Sequence, residues 1–201
     1  MVFGVLCNAD SPNTIISLQS AKNLRRIIIP AIPSKAIQKI IPTERSLKME
    51  IENRLKDMGI ELPPAVQPVA NYVPAVRSNN LIFLSGHGPF NEDGSLITGK
   101  VGADLTVDQG YETARRIAIG LLGSLKAEIG NLDKVTRVVK LLGFVNCLPE
   151  FADQPGVING ASDFLVEVFG ENGKHARSAV GTNALPFNIA VEIEMIVEVE
   201  D

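Results

Sequence analysis

A chain of 201 residues, 45% hydrophobic and 21% charged, holds enough apolar material for one well-buried domain. Its net charge of −4 gives no general reason to expect nucleic-acid or anionic-membrane partners, and no apolar run approaches the roughly 18 residues that span a bilayer. Its two cysteines, Cys7 and Cys147, are too far apart for a metal-site spacing or a disulfide framework, and suit a reducing compartment.

Residues 1–43 carry five cations, Lys22, Arg25, Arg26, Lys35 and Lys39, against Asp10 alone, a net +4 that leaves −8 for the remainder. Scattered serines and the helix-breaking Pro30, Pro33 and Pro42 accompany them. An acid-poor, basic leader of this kind has the composition of an organelle transit peptide. A disordered extension, or a start of the protein at Met49, fits the same residues. The chain therefore divides into an N-terminal extension, 1–45, and a folded domain, 46–201. Its location is a mitochondrion or other organelle if the leader is a transit peptide, and the cytoplasm otherwise.

Ordered structure is expected from Ser46. "SLKMEIENRLKDMG" sets Leu47, Ile51, Leu55 and Met58 on one helical face, with Gly59 as the stop. "ELPPAVQP" then imposes an extended connection. "NLIFLSG", residues 80–86, is a compact strand, and "NEDGS", 91–95, has turn chemistry. The clearest helix runs from Val107 to Ile129, opened by the capping-box pair Thr106 and Gln109 and closed by Gly130. Residues 135–146 form a long β-rich run, and a second helix spans 155–169 with Gly170 beyond it. Strands at 177–182 and 190–199 complete the chain. The order strand, strand, helix, strand, helix, strand, strand implies an α+β fold, with helices on one face of a mixed sheet.

The last strand alternates. Val191, Ile193, Met195, Val197 and Val199 face one side, while Glu192, Glu194, Ile196 and Glu198 face the other. The "NALPFN" reversal is expected to bring the strand carrying Arg177 back beside the one carrying Glu192. An arginine fork grips carboxylates with two parallel hydrogen bonds, and a nearby glutamate can hold a water or shuttle a proton. A cross-strand salt bridge is the alternative reading of the same pair.

"ARSAVGTNALPFNIAVEIEMI" resembles the C-terminal signature of the YjgF/RidA family. "NYVPAVRSNNLIFLSGHGP", "GFVNCLPEF" and "VINGASDFLVEVFG" are similar to that family's other blocks, so the resemblance covers about 70–200. "GKVGADLTVDQGYETARR" and the helix before residue 60 look like a longer branch. The resemblance implies a chorismate-mutase-like (bacterial type) mixed sheet backed by two helices, assembled as a homotrimer with clefts between subunits. It further implies cofactor-free and metal-free hydrolysis of reactive enamines and imines, such as 2-aminoacrylate, to 2-keto acids and ammonia. On that pattern Arg177 clamps the substrate carboxylate and Glu192 handles the water or proton. Tyr72, Ser85, His87, Asn159 and Ala179 line the cleft.

Two departures stand out: Ala179 replaces the cysteine of many deaminase-type members, and His87 replaces their glutamine. A non-catalytic binder of small carboxylates is the alternative to a deaminase. An endoribonuclease, the family's older label, fits poorly with an acidic domain lacking a basic stripe. His87 is read either as a general base or as a hydrogen-bonded holder of its loop. Tyr72 is read as cleft lining or as an interface aromatic, and Asn159 as cleft lining or a backbone partner. His175, beside Arg177 in the sequence, is expected to face away from it and flank the entrance. Cys147 reads as a small strand-end hydrophobe, and "GKVGAD" as a loop over the neighbouring subunit. With two isolated histidines, no metal is assigned.

Overall fold

In the computed structural model the chain divides into two units, residues 1–47 and 48–201. The described residues are 49–65, 71–91 and 93–200, together with the backbone of three strands in the first unit. Those strands, β1 (Gly4–Val5), β2 (Asn13–Ser20) and β3 (Asn23–Pro30), pair antiparallel in that order. Leu47, Pro33, Pro42, residues 66–68 of the extended connection and Glu92 of the turn lie outside the described residues.

The second unit begins with α1 (Glu50–Asp57), β4 (Ala75–Ser78), β5 (Leu81–His87) and α2 (Val107–Ile129). It ends with β6 (Val135–Asn146), α3 (Gln154–Phe169), β7 (Ala176–Thr182) and β8 (Val191–Val199). Its α+β architecture is a five-stranded mixed sheet in the order β4-β5-β8-β6-β7, with only β6 and β7 parallel. Helices α2 and α3 cover one face, and the core lies between them and the sheet.

The chain folds this way because its apolar periods agree with its caps. Every second residue of β8 from Val191 to Val199 is at most 2% exposed, while Glu192, Glu194, Ile196 and Glu198 stay at least partly open on the other face. Helix α2 opens on the reciprocal Thr106–Gln109 box and ends at Gly130 with φ +79°. Helix α3 starts one residue before Pro155, where the Asp153 carboxylate accepts from Gly156 N–H at 3.1 Å. Helix α1 is only eight residues long and has no side-chain cap of its own. Instead the Asp133 carboxylate, from the loop after α2, accepts from the N–H groups of Glu50 and Ile51 at 2.8 Å each. A helix this short is marginal without such a tether.

One expectation is corrected here. The strands carrying Arg177 and Glu192 are not neighbours, because β6 lies between them. The connection through α3 lays β7 outside β6, parallel to it, and the Leu185–Pro186 reversal must cross the end of β6 to reach β8. Asn146, fully buried at that end, anchors the crossing. Its N–H donates to Ala190 O, and its side-chain amide donates to Ile189 O and Asn188 Oδ1.

The two helices meet at Gly160, where an added Cβ would lie 1.9 Å from the Tyr111 carbonyl oxygen. Gly160→Ala should therefore destabilise the domain by about 1–3 kcal/mol or more, since backbone must move. Gly110→Ala, whose methyl would meet side-chain methyls of Val157 and Val101 as its nearest neighbours at 3.1–3.3 Å, should cost less. Urea denaturation of the two variants compares them.

Candidate functional site

The sequence-designated residues fall into two groups on opposite faces of the sheet. The first surrounds a concavity of about 440 Å³ whose lining includes Tyr72, Gly86, Phe90, Phe187 and Glu192. Glu192 comes from the open face of β8. Its carboxylate rests against Gly86, where an added Cβ would stand 2.0 Å from Oε1. A larger residue there would have to push the end of the Glu192 side chain aside. The pairing of β5 with β8 shifts register between Leu84 and His87, and this bulge surrounds the point of contact. No side chain among the described residues hydrogen-bonds the Glu192 carboxylate. Burial raises its pKa above the ordinary glutamate value, and the charge of Glu194 adds to the effect. A half-buried carboxylate with a raised pKa is a candidate for proton transfer.

The bulge also decides the role of His87. One extra residue reverses the in–out parity of β5, so His87 enters the core and is 4% exposed. Nδ1 lies 2.8 Å from Ser85 O, and a carbonyl only accepts, so Nδ1 carries the proton. Nε2 then accepts from the Ser124 hydroxyl on α2 at 2.7 Å. Burial holds the His87 pKa below the usual value. Its ring clamps the bulge to α2, as expected of a hydrogen-bonded holder of that loop, with both nitrogens engaged while the residue also lines the Glu192 concavity. Ser85 is likewise committed: its hydroxyl donates to Val73 O at 2.7 Å. It borders a second, open-face concavity with Phe83, Lys140, Glu194 and Ile196, not the one under Glu192.

The second group is built on β7 and α3. Arg177 turns toward the helices, and its Nη1 donates to Asn159 Oδ1 at 2.8 Å and to Ser162 Oγ at 3.0 Å. Both Nη1 hydrogens are thereby used, and the Nε–Nη2 edge is left for a carboxylate. Ala179 shares this face of β7, half-buried against the core. Tyr72, 47% exposed, belongs with the first group.

The two groups do not meet within one chain. Arg177 is level with Leu141 of β6, and Glu192 with Phe144. Two strand spacings and a three-residue offset put them about 14 Å apart at their Cα atoms, with side chains on opposite faces. An intramolecular salt bridge is excluded.

Sequence reasoning missed three features. Ser162 follows Asn159 by three residues on α3, a spacing that places both over Arg177. His175 does not face away from Arg177: residues two apart on an extended chain share a face, and its Nε2 lies 3.1 Å from the same Ser162 hydroxyl. Phe187, 77% exposed at the mouth of the Glu192 concavity, holds φ +54°, an uncommon backbone for a bulky residue. Among the described residues no group of His, Cys, Asp and Glu could hold a metal ion. No helix there is long and apolar enough to cross a membrane.

Residues 52–199 match a family model described as "YjgF/chorismate mutase-like, putative endoribonuclease". The protein TCP17 of Trypanosoma cruzi is 47% identical over 148 residues, which are 73% of this chain and 92% of that protein. A 2-iminobutanoate/2-iminopropanoate deaminase of Dermatophagoides farinae is 30% identical over 142 residues, 70% of this chain and 95% of the deaminase. A solved structure of a protein of unknown function from Agrobacterium tumefaciens is 47% identical, with a TM-score of 0.69 over 75% of this chain and 92% of its own.

The contact between Gly86 and Glu192 is testable alone. Gly86→Ala should push the carboxylate aside and cost up to about 1 kcal/mol. In a Glu192→Ala background the same change should be neutral or stabilising by about 0.4–1 kcal/mol, because the obstruction is gone and the unfolded chain loses freedom. Equal effects in both backgrounds, read by urea denaturation, would contradict the contact.

Proposed function

The chain belongs to the YjgF/RidA family, and from that premise we propose that it hydrolyses reactive enamines and imines in a cleft made by two copies of itself. The observation that carries this reading is the separation of Arg177 and Glu192 onto opposite faces of one sheet. A single chain offers a carboxylate clamp without a base beside it, and a base without a clamp. A second copy that lays its β7–α3 edge against the Glu192 concavity supplies both. The open sheet face supports such an assembly, since Val76 and Phe83 are 52% and 41% exposed there. Covering the exposed half of each such side chain gains roughly 1 kcal/mol, about half of the 1.5–3 kcal/mol of a full burial. A homotrimer, the arrangement expected from the family resemblance, covers these faces around one axis.

The substrate class is a small 2-imino acid in equilibrium with its enamine, of which 2-aminoacrylate is the simplest. The Arg177 Nε–Nη2 edge takes the carboxylate of the imino acid. Glu192, ionised, accepts a proton from a water as that water's oxygen bonds to C2. That proton passes to nitrogen to give the carbinolamine; the hydroxyl proton then moves by way of Glu192 to the same nitrogen as the C–N bond breaks, and ammonia leaves a 2-keto acid. Water is the sole co-reactant, so no cofactor or metal is called for. A guanidinium from the second copy counters the burial that raises the Glu192 pKa and so favours the ionised form that accepts the proton. The deaminase from Dermatophagoides farinae supports the reaction class by likeness.

Ala179 favours a second reading, a binder of small carboxylates without turnover, because the cysteine of many deaminase-type relatives is missing there. The family's endoribonuclease label finds little support in a domain whose net charge is −8 beyond residue 43. We also propose that residues 1–45 direct the chain into an organelle. A reporter fused to them should enter one, and a reporter left in the cytoplasm would contradict it.

The composite cleft has a distinctive test. Arg177→Ala and Glu192→Gln, each alone, should lower turnover of 2-aminoacrylate generated in the assay on the order of 10²-fold or more. Mixed assemblies of the two variants should regain activity, up to about one quarter of the native value under random mixing, because some clefts then join two intact halves. Mixtures as inactive as the single variants would contradict a shared cleft.

A further inference from the structure

Behind Arg177 lies a chain of hydrogen bonds whose directions are fixed by chemistry. His175 Nδ1 sits 2.6 Å from the Gly173 carbonyl oxygen, so Nδ1 must donate. Nε2 is left with a lone pair, 3.1 Å from Ser162 Oγ, and the one proton of that hydroxyl points to it. The hydroxyl oxygen then offers its own lone pair to Arg177 Nη1 at 3.0 Å. Asn159 Oδ1, one turn earlier on α3, takes the other Nη1 hydrogen.

We propose that Ser162 and His175 are positioning residues for the Arg177 clamp, with His175 in its neutral Nδ1–H form orienting the serine hydroxyl so that it can only accept from the guanidinium. The proposal rests on the carboxylate-clamp reading of Arg177 and deepens it by saying what aims the fork. A serine on a helix otherwise turns its proton to the carbonyl four residues back or to a passing acceptor. Here a fixed acceptor removes that choice. An arginine on an edge strand would otherwise sample many rotamers, and holding Nη1 at two points presents Nε and Nη2 as a flat pair. The net balance favours the neutral form: burial lowers the His175 pKa, the bond to Gly173 opposes it, and the positive charge of Arg177 lowers it further. An imidazolium would point a second N–H at Ser162 and compete with Arg177 for the same oxygen.

The test is a titration of the full chain with 2-oxobutanoate by calorimetry, beside sedimentation and melting controls. Native protein should bind it and Arg177→Ala should not. Ser162→Ala and His175→Phe should each weaken binding on the order of 5- to 10-fold, and the double variant should be no worse than Ser162→Ala alone. Ser162→Thr, which keeps the hydroxyl, and His175→Gln, whose amide oxygen can accept from it, should recover most of that loss; they also carry the test if His175→Phe does not fold. Independently, the ring nitrogens of His175 should give the NMR shifts of a protonated Nδ1 and an unprotonated Nε2 at neutral pH. Native-like binding in Ser162→Ala and His175→Phe, with Arg177→Ala dead, overturns the relay and leaves the clamp standing. Unchanged binding in Arg177→Ala removes clamp and relay together, and the opposite tautomer overturns the relay whatever binds.

Discussion

Strand β6 stands between the strand that carries Arg177 and the strand that carries Glu192. Its hydrogen bonds to β7 on one side and β8 on the other hold those residues two strand spacings apart. The core requires this order. Leu141 and Val145 of β6 are fully buried under the helices, level with Met195 and Val191 of β8. Moving β6 to the sheet edge would strip that cover from the middle of the domain. Cationic and acidic groups are therefore separated by the same packing that stabilises the fold, and any joint chemistry must come from a second copy.

Each half of the proposed cleft is fixed by a different device. Glu192 is placed by backbone: a bulge brings Gly86 beneath its carboxylate, and His87 pins that bulge to Ser124 on α2. Arg177 is placed by side chains, through Asn159 and the Ser162–His175 pair on the α3 side. In both cases a histidine hydrogen-bonds a serine beside the residue that is held. Burial lowers the pKa of each, which favours the uncharged ring beside its serine.

What the sequence made legible was local or periodic. The β8 alternation, the Thr106–Gln109 box and the glycine after α2 are readable because the residues that interact lie within a few positions of one another. The order of strands is not local. "NALPFN" signals a reversal, but nothing in it reveals that the chain crosses the end of β6 at Asn146 before pairing. His87 was legible as the hydrogen-bonded holder of its loop, but its burial was not, because a single inserted residue reverses strand parity and strand pattern alone does not locate a bulge. His175 was legible: it lies two residues from Arg177, and the period of an extended chain already puts both on one face. The short α1 owes its start to Asp133, more than 80 residues away, which no window along the chain would connect.

A crystal structure of the assembled full chain grown with 2-oxobutanoate would test the central claim most directly. The account predicts the carboxylate on the Nε–Nη2 edge of Arg177 from one copy, and the keto carbon within reach of Glu192 from another. A ligand held by residues of one copy alone, or an assembly in which those two side chains never approach across an interface, would contradict it.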